Sequence, residues 1–127
     1  MGYRSIVTIA VTKEAYLKHA NQTVKDHLKY CDEVTLANNI YYFKYDWVKW
    51  YEDYEDVKCV TDFVYQCGED AALLRIGEDD NDTERIGETS EFEMYVSREP
   101  DYPKGDTEVN RDILFACNSI QYILEKE

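Results

Sequence analysis

The chain has 127 residues, 44% of them hydrophobic, with a mean hydropathy of −0.62 and a net charge of −13. That size suits one domain with a real core, the apolar content excludes wholesale disorder, and no run approaches the roughly 20 apolar residues of a membrane span. A pI near 4.5 argues against direct nucleic-acid binding, because phosphate repulsion has to be overcome before any base contact contributes.

Residues 3 to 11 are rich in β-branched types and read as a first strand, after which Thr12 offers a side-chain oxygen to cap a helix. Tyr16, Ala20, Val24 and Leu28 recur every four residues beside Leu17, while Lys13, Lys18 and Lys25 point elsewhere. The spacing predicts one amphipathic helix ending near Lys29, with a basic outer face. Residues 31 to 37 form a short strand, Asn38-Asn39 is turn chemistry that tolerates positive φ, and residues 40 to 50 form a long aromatic strand. On that strand Tyr41, Phe43, Tyr45 and Trp47 share one face, with Tyr42, Lys44, Asp46 and Val48 on the other.

Asp53, Glu55 and Asp56 suit a helix N-terminus, and the stripe Val57, Val60, Val64 and Cys67 ends at Gly68, so a second helix is predicted over 54 to 67. Strands follow at 71 to 76, 83 to 86 and 92 to 97, the first two separated by the polar turn 77 to 82. The order β-α-β-β-α-β predicts an α+β, ferredoxin-like antiparallel sheet with an added hairpin and one open face. Residues 1 to 98 form this domain and 99 to 106 a linker. Thr107 then caps a C-terminal helix over 107 to 127, whose seam Val109, Ile113, Ala116, Ile120 and Ile123 packs on the open sheet face or on a second copy.

Charge is unevenly distributed. The first fifty residues hold seven bases and five acids, the remainder seven bases and twenty-two acids. Asp79, Asp80, Asp82, Glu84, Glu88 and Glu91 concentrate this charge, and Trp47, Trp50 and Tyr51 are candidate apolar anchors for a partner. The acidic turn invites a calcium reading, but a loop started at Asp80 has Arg85 where the sharp turn needs glycine, so no metal is expected. Cys31, Cys59, Cys67 and Cys117 include no Cys-x-x-Cys pair, and His19 and His27 lie on the first helix, which speaks against zinc and for reduced thiols. There is no nucleophile elbow, phosphate loop or framed carboxylate pair, and the N-terminus has no apolar leader. A cytoplasmic protein without enzyme activity or cofactor is expected.

Met-Gly-Tyr-Arg-Ser at 1 to 5, Tyr-Asp-Trp-Val-Lys-Trp-Tyr at 45 to 51 and Arg-Ile-Gly-Glu-Asp at 75 to 79 occur in this order. Together they resemble a family of small acidic proteins of unassigned function carried by bacteriophages and prophages, over roughly residues 1 to 98. The resemblance implies a phage or mobile-element origin and brings no catalytic residues. It makes inhibition of a host nucleic-acid-directed defence complex, such as a CRISPR effector, the leading expectation, with carboxylates competing for bases that normally hold phosphate. Two alternatives are a sponge for a nucleotide signal, using Tyr42, Trp47 or Trp50 with Arg75, Arg85 or Arg98, and a metal-dependent hydrolase using Asp46 and the acidic turn.

Overall fold

β1 (Ser5–Thr12) is buried on both faces, which is why its sequence is an almost unbroken apolar and β-branched run rather than an alternating one. In the computed structural model, which describes residues 2–79, 81–96, 102–103 and 109–115, β1 pairs antiparallel with β3 (Ile40–Val48) on one side and β4 (Ala71–Gly77) on the other. β2 (Glu33–Ala37) and β5 (Thr83–Ile86) complete an antiparallel five-stranded sheet in the order β2-β3-β1-β4-β5. The molecule is therefore α+β. Asn38 and Asn39 both adopt positive φ, 53° and 64°, the geometry a two-residue hairpin needs between β2 and β3.

The two sheet faces carry separate cores. Val7, Ile9, Val11, Tyr41, Phe43, Tyr45 and Leu73 pack under α1 (Lys13–His19), α2 (Gln22–Leu28) and α3 (Glu55–Cys67). Ala10, Tyr42, Ala72 and Leu74 face the opposite way, under Phe92, Met94 and Tyr102. Thr12 caps α1 by accepting from the Ala15 N–H at 3.1 Å, and Gly68 ends α3 at φ 60° and ψ −123°, a positive-φ conformation outside the left-handed helical region that glycine adopts readily. No helix among the described residues is long and apolar enough to cross a membrane.

Four expectations are corrected. The single first helix is two: Ala20 is extended, and Asn21 starts α2 by accepting from the Val24 N–H. The aromatic strand stops at Val48, and Trp47, at φ 53°, leaves the face it was expected to share because β3 bulges where Ser5 and Val7 face Val48 and Tyr45. Within the expected strand 92 to 97, residues 92–96 form no ladder strand: a 3₁₀ turn over Thr89–Phe92 ends at left-handed Glu93. The described part of the C-terminal helix, α4 (Arg111–Leu114), is capped by Asn110 and packs Leu114 into the helix-side core instead of onto the open sheet face. Val109 also packs against that core, whereas Thr107, Ala116, Cys117, Ile120, Ile123 and the linker residues Pro100 and Gly105 lie outside the described residues.

Tyr16 anchors α4. Its ring lies fully buried among Tyr41, Phe43 and Phe63, and its hydroxyl donates to the Leu114 carbonyl at 2.8 Å. Burial pushes the hydroxyl's pKa far above the ordinary tyrosine value, so it remains a donor at any working pH. Tyr16→Phe keeps the packing and leaves that carbonyl without its donor, which is expected to cost about 1–3 kcal/mol. Urea unfolding should show a lower midpoint with an unchanged slope; an unmoved midpoint would mean that water satisfies Leu114 instead.

Candidate functional site

β5 is one of the two edge strands and only four residues long, and between it and α3 the helix-facing side of the sheet stays open. The result is a cleft of about 700 Å³. Its floor is Arg75, Asp82, Glu84 and Ile86 from β4, β5 and their turn. One wall is α3, through Val57, Lys58, Thr61, Asp62 and Tyr65, positions three and four apart and hence on one helical face. The other wall is the loop Trp50, Tyr51, Glu52 and Asp53, with Tyr3 at the rim.

Arg75 and Glu84 are direct cross-strand partners, which puts the guanidinium beside that carboxylate, with Nε donating to Oε1 at 3.2 Å. The β4–β5 turn brings Asp82 back over the same group, and Arg75 forks onto it with Nη2–Oδ1 at 2.9 Å and Nη1–Oδ2 at 3.2 Å. Nη1 also donates to the Ser5 hydroxyl at 3.1 Å. Tyr3 ties the N-terminal segment to this turn: its hydroxyl donates to Asp82 and accepts from the Asp79 N–H at 3.0 Å. Glycine at 77 gives this pair room: a Cβ there would lie 2.1 Å from the Asp82 carboxylate and 2.2 Å from the Tyr3 hydroxyl, so a larger residue would force both side chains to move.

The electrostatics follow from these bonds. Hydrogen bonding from Arg75, and then from Tyr3, holds the Asp82 carboxyl below the usual carboxylate range. The Asp82 bond raises the Arg75 pKa further, against partial burial. For Tyr3 the Asp79 amide pulls downward, but Asp82 and desolvation leave the phenol above its ordinary value. Because the folded Asp82 pKa is depressed, its stabilising contribution is present above the unfolded value of about 3.9 and fades as pH falls through the lower folded value. Asp82→Asn should therefore melt below the parent protein at neutral pH, and the gap should close on acidification below about pH 4. A gap that persists at low pH would assign the effect to something other than the ion pair.

Of the residues singled out in the sequence, Trp50, Tyr51, Asp82 and Glu84 meet at the cleft. Asp79 is exposed on the adjoining turn, and Asp80 lies outside the described residues. Trp47 is exposed at the β3 bulge, its carbonyl accepting from Arg4 Nη1 at 3.0 Å. Glu88 and Glu91 are exposed on the segment that covers the second sheet face. Of the residues considered for a nucleotide, Trp50 and Arg75 meet at the cleft, whereas Tyr42 is buried in the second core, Arg85 is paired in register with Leu74 of that same face, and Arg98 lies outside the described residues. Among the described residues no group of three or more His, Cys, Asp or Glu is placed to hold a metal ion. Cys31, Cys59 and Cys67 are free thiols, and burial pushes Cys31 and Cys67 up to about 11.

Sequence reasoning missed Tyr3, Glu52, Asp53, Asp62 and Tyr65. The available signal was the polar face of α3 at 58, 61, 62 and 65, opposite its apolar stripe, flanked by the acidic loop just before the helix. Comparison with known protein families, with curated proteins and with solved structures returns no match. The cleft itself therefore carries the functional reading.

Proposed function

We propose that this protein is a non-enzymatic inhibitor that occupies the basic, phosphate-holding surface of a host nucleic-acid-directed defence complex, such as a CRISPR effector, in the host cytoplasm. The observation that carries the reading is the cleft's composition. Among the described residues that line it, Glu52, Asp53, Asp62, Asp82 and Glu84 face two bases, Lys58 and Arg75, beside the aromatic rings of Tyr3, Trp50, Tyr51 and Tyr65. Arg75 already lies between two of those acids, so Glu52, Asp53 and Asp62 outnumber the one remaining base, Lys58, and leave negative charge for an external cation. Opposite charge would speed encounter, and the rings would supply contact area once the charges meet. The phage resemblance makes a defence complex the first partner class to test. The ferredoxin-like assignment belongs to the same proposal, supported by strand order β2-β3-β1-β4 with helices between β1 and β2 and between β3 and β4.

The test is co-purification from host lysate at low and high salt, followed by an assay of the captured complex for nucleic-acid binding. Capture that weakens with salt and with Glu52→Gln/Asp53→Asn/Asp62→Asn, together with loss of nucleic-acid binding by the captured complex, is the expected result. Recovery indifferent to both salt and neutralisation would overturn it. The nucleotide-sponge alternative is less well served by this geometry, because the Arg75 guanidinium is already forked onto Asp82; a nucleotide panel should produce no thermal shift.

A further inference from the structure

The acids in the cleft divide into two sets. Asp82 and Glu84 sit on the floor against Arg75, whereas Glu52, Asp53 and Asp62 are exposed on the two walls. On those same walls, Tyr65 is 65% exposed and Tyr51 is half-buried against Tyr54, ring centroids 4.9 Å apart. Exposed carboxylates beside one exposed and one half-buried tyrosine ring suit a flat cation. A guanidinium can stack on a ring and fork onto a carboxylate at once, whereas an ammonium is a compact, strongly hydrated point charge that gains less from either. The floor provides an internal precedent, with Arg75 satisfied by two carboxylates at 2.9 and 3.2 Å.

We propose that the cleft between α3 and the 50–53 loop is an arginine-binding site, which receives an arginine side chain from an exposed basic segment of the partner between the Tyr51 and Tyr65 rings and onto Asp62 and Asp53. This inference rests on the proposed binding function and adds what that reading leaves open: where on the molecule contact is made, and with which residue type. A volume near 700 Å³ falls within the roughly 300–1,000 Å³ of sites that enclose whole small ligands, so the side chain can enter with part of its backbone. Arg75 cannot fill the site from below, because its fork is taken by Asp82 and Glu84.

The experiment titrates the intact protein with a short peptide of alternating glycine and arginine, and with its glycine-lysine counterpart of equal charge, by calorimetry at low salt. The arginine peptide should bind at least about tenfold more tightly than the lysine peptide. Tyr65→Ala and Asp62→Asn should each weaken the arginine peptide by about tenfold while leaving the far-ultraviolet circular dichroism spectrum unchanged, since both side chains are exposed on the outer face of α3. Equal affinity for the two peptides, no binding of either, or indifference to Tyr65→Ala would each overturn the arginine site. Lysate capture that survives while the peptide fails would leave the inhibitor reading standing without this site. Peptide binding without lysate capture would do the reverse.

Discussion

Replacing Phe63 with alanine should cost about 3–5 kcal/mol, a large share of the roughly 5–15 kcal/mol that holds a domain folded. Phe63 is 1% exposed on the inner face of α3 and meets Tyr16 edge-on with centroids 6.4 Å apart; Tyr16 in turn touches Tyr41 at 5.4 Å and stacks on Phe43 at 5.7 Å. Truncation would open a cavity against Tyr16, whose ring is held by Tyr41 and Phe43 and has little freedom to collapse into it. Thermal unfolding should fall by about 10–20 °C, given several degrees per kcal/mol for a domain of this size. Because α3 is also one wall of the cleft, binding should fail as the helix loosens. The contrast is Tyr65→Ala, two residues along on the outer face, which should move stability by less than about 0.5 kcal/mol while weakening arginine recognition by about tenfold. A Phe63→Ala protein that melts within about 3 °C of the parent would show that α3 is not seated on the sheet through this cluster.

How much of this was legible in the sequence depends on which physical signal each segment carried. β1, the Asn38-Asn39 turn and α3 with its Gly68 cap combine local propensity with periodicity, and both signals agree. The α1–α2 break was hidden because Tyr16, Ala20, Val24 and Leu28 do all face the core, and the four-residue spacing survives the interruption. Only Asn21 hinted at it: its side chain competes for backbone N–H groups and so starts a helix more readily than it continues one. The 92–96 segment misled for a related reason, since Phe92 and Met94 point inward with Glu93 and Tyr95 outward, and alternation specifies which side chains are buried without specifying a ladder. The cleft was legible only in part. Trp50, Tyr51, Asp82 and Glu84 are distinctive by type, but Tyr3 and Arg75 join them through pairings 79 and 7 residues apart in the chain. Arg75 shows why composition overstates the acidic surface: local charge depends on which carboxylates the fold places around each base.

Tyr42→Ala should be as damaging to stability as Phe63→Ala and yet spare the cleft, because adjacent residues of β3 serve opposite cores. Tyr42 is 1% exposed, stacks on Tyr102 with centroids 5.4 Å apart, and donates its hydroxyl to the Phe92 carbonyl at 2.7 Å. Burial pushes its pKa up to about 12, so the bond persists across the neutral range. Losing the ring removes both a packing partner and the hydroxyl that hold the Thr89–Phe92 turn and should cost about 3–5 kcal/mol, whereas Tyr42→Phe strands only the Phe92 carbonyl and should cost about 1–3 kcal/mol. Hydrogen exchange should report faster opening across residues 89–96 in the alanine variant, with protection in α3 falling only as far as global stability does. At a temperature where the variant remains folded, affinity for the arginine peptide should stay within about twofold of the parent, since every residue of the cleft lies on the helix side or the rim of the sheet. Weakened binding by folded Tyr42→Ala protein would mean that the two faces are coupled through the sheet, and the cleft would then have to be treated as one part of a larger cooperative surface that includes Glu88 and Glu91.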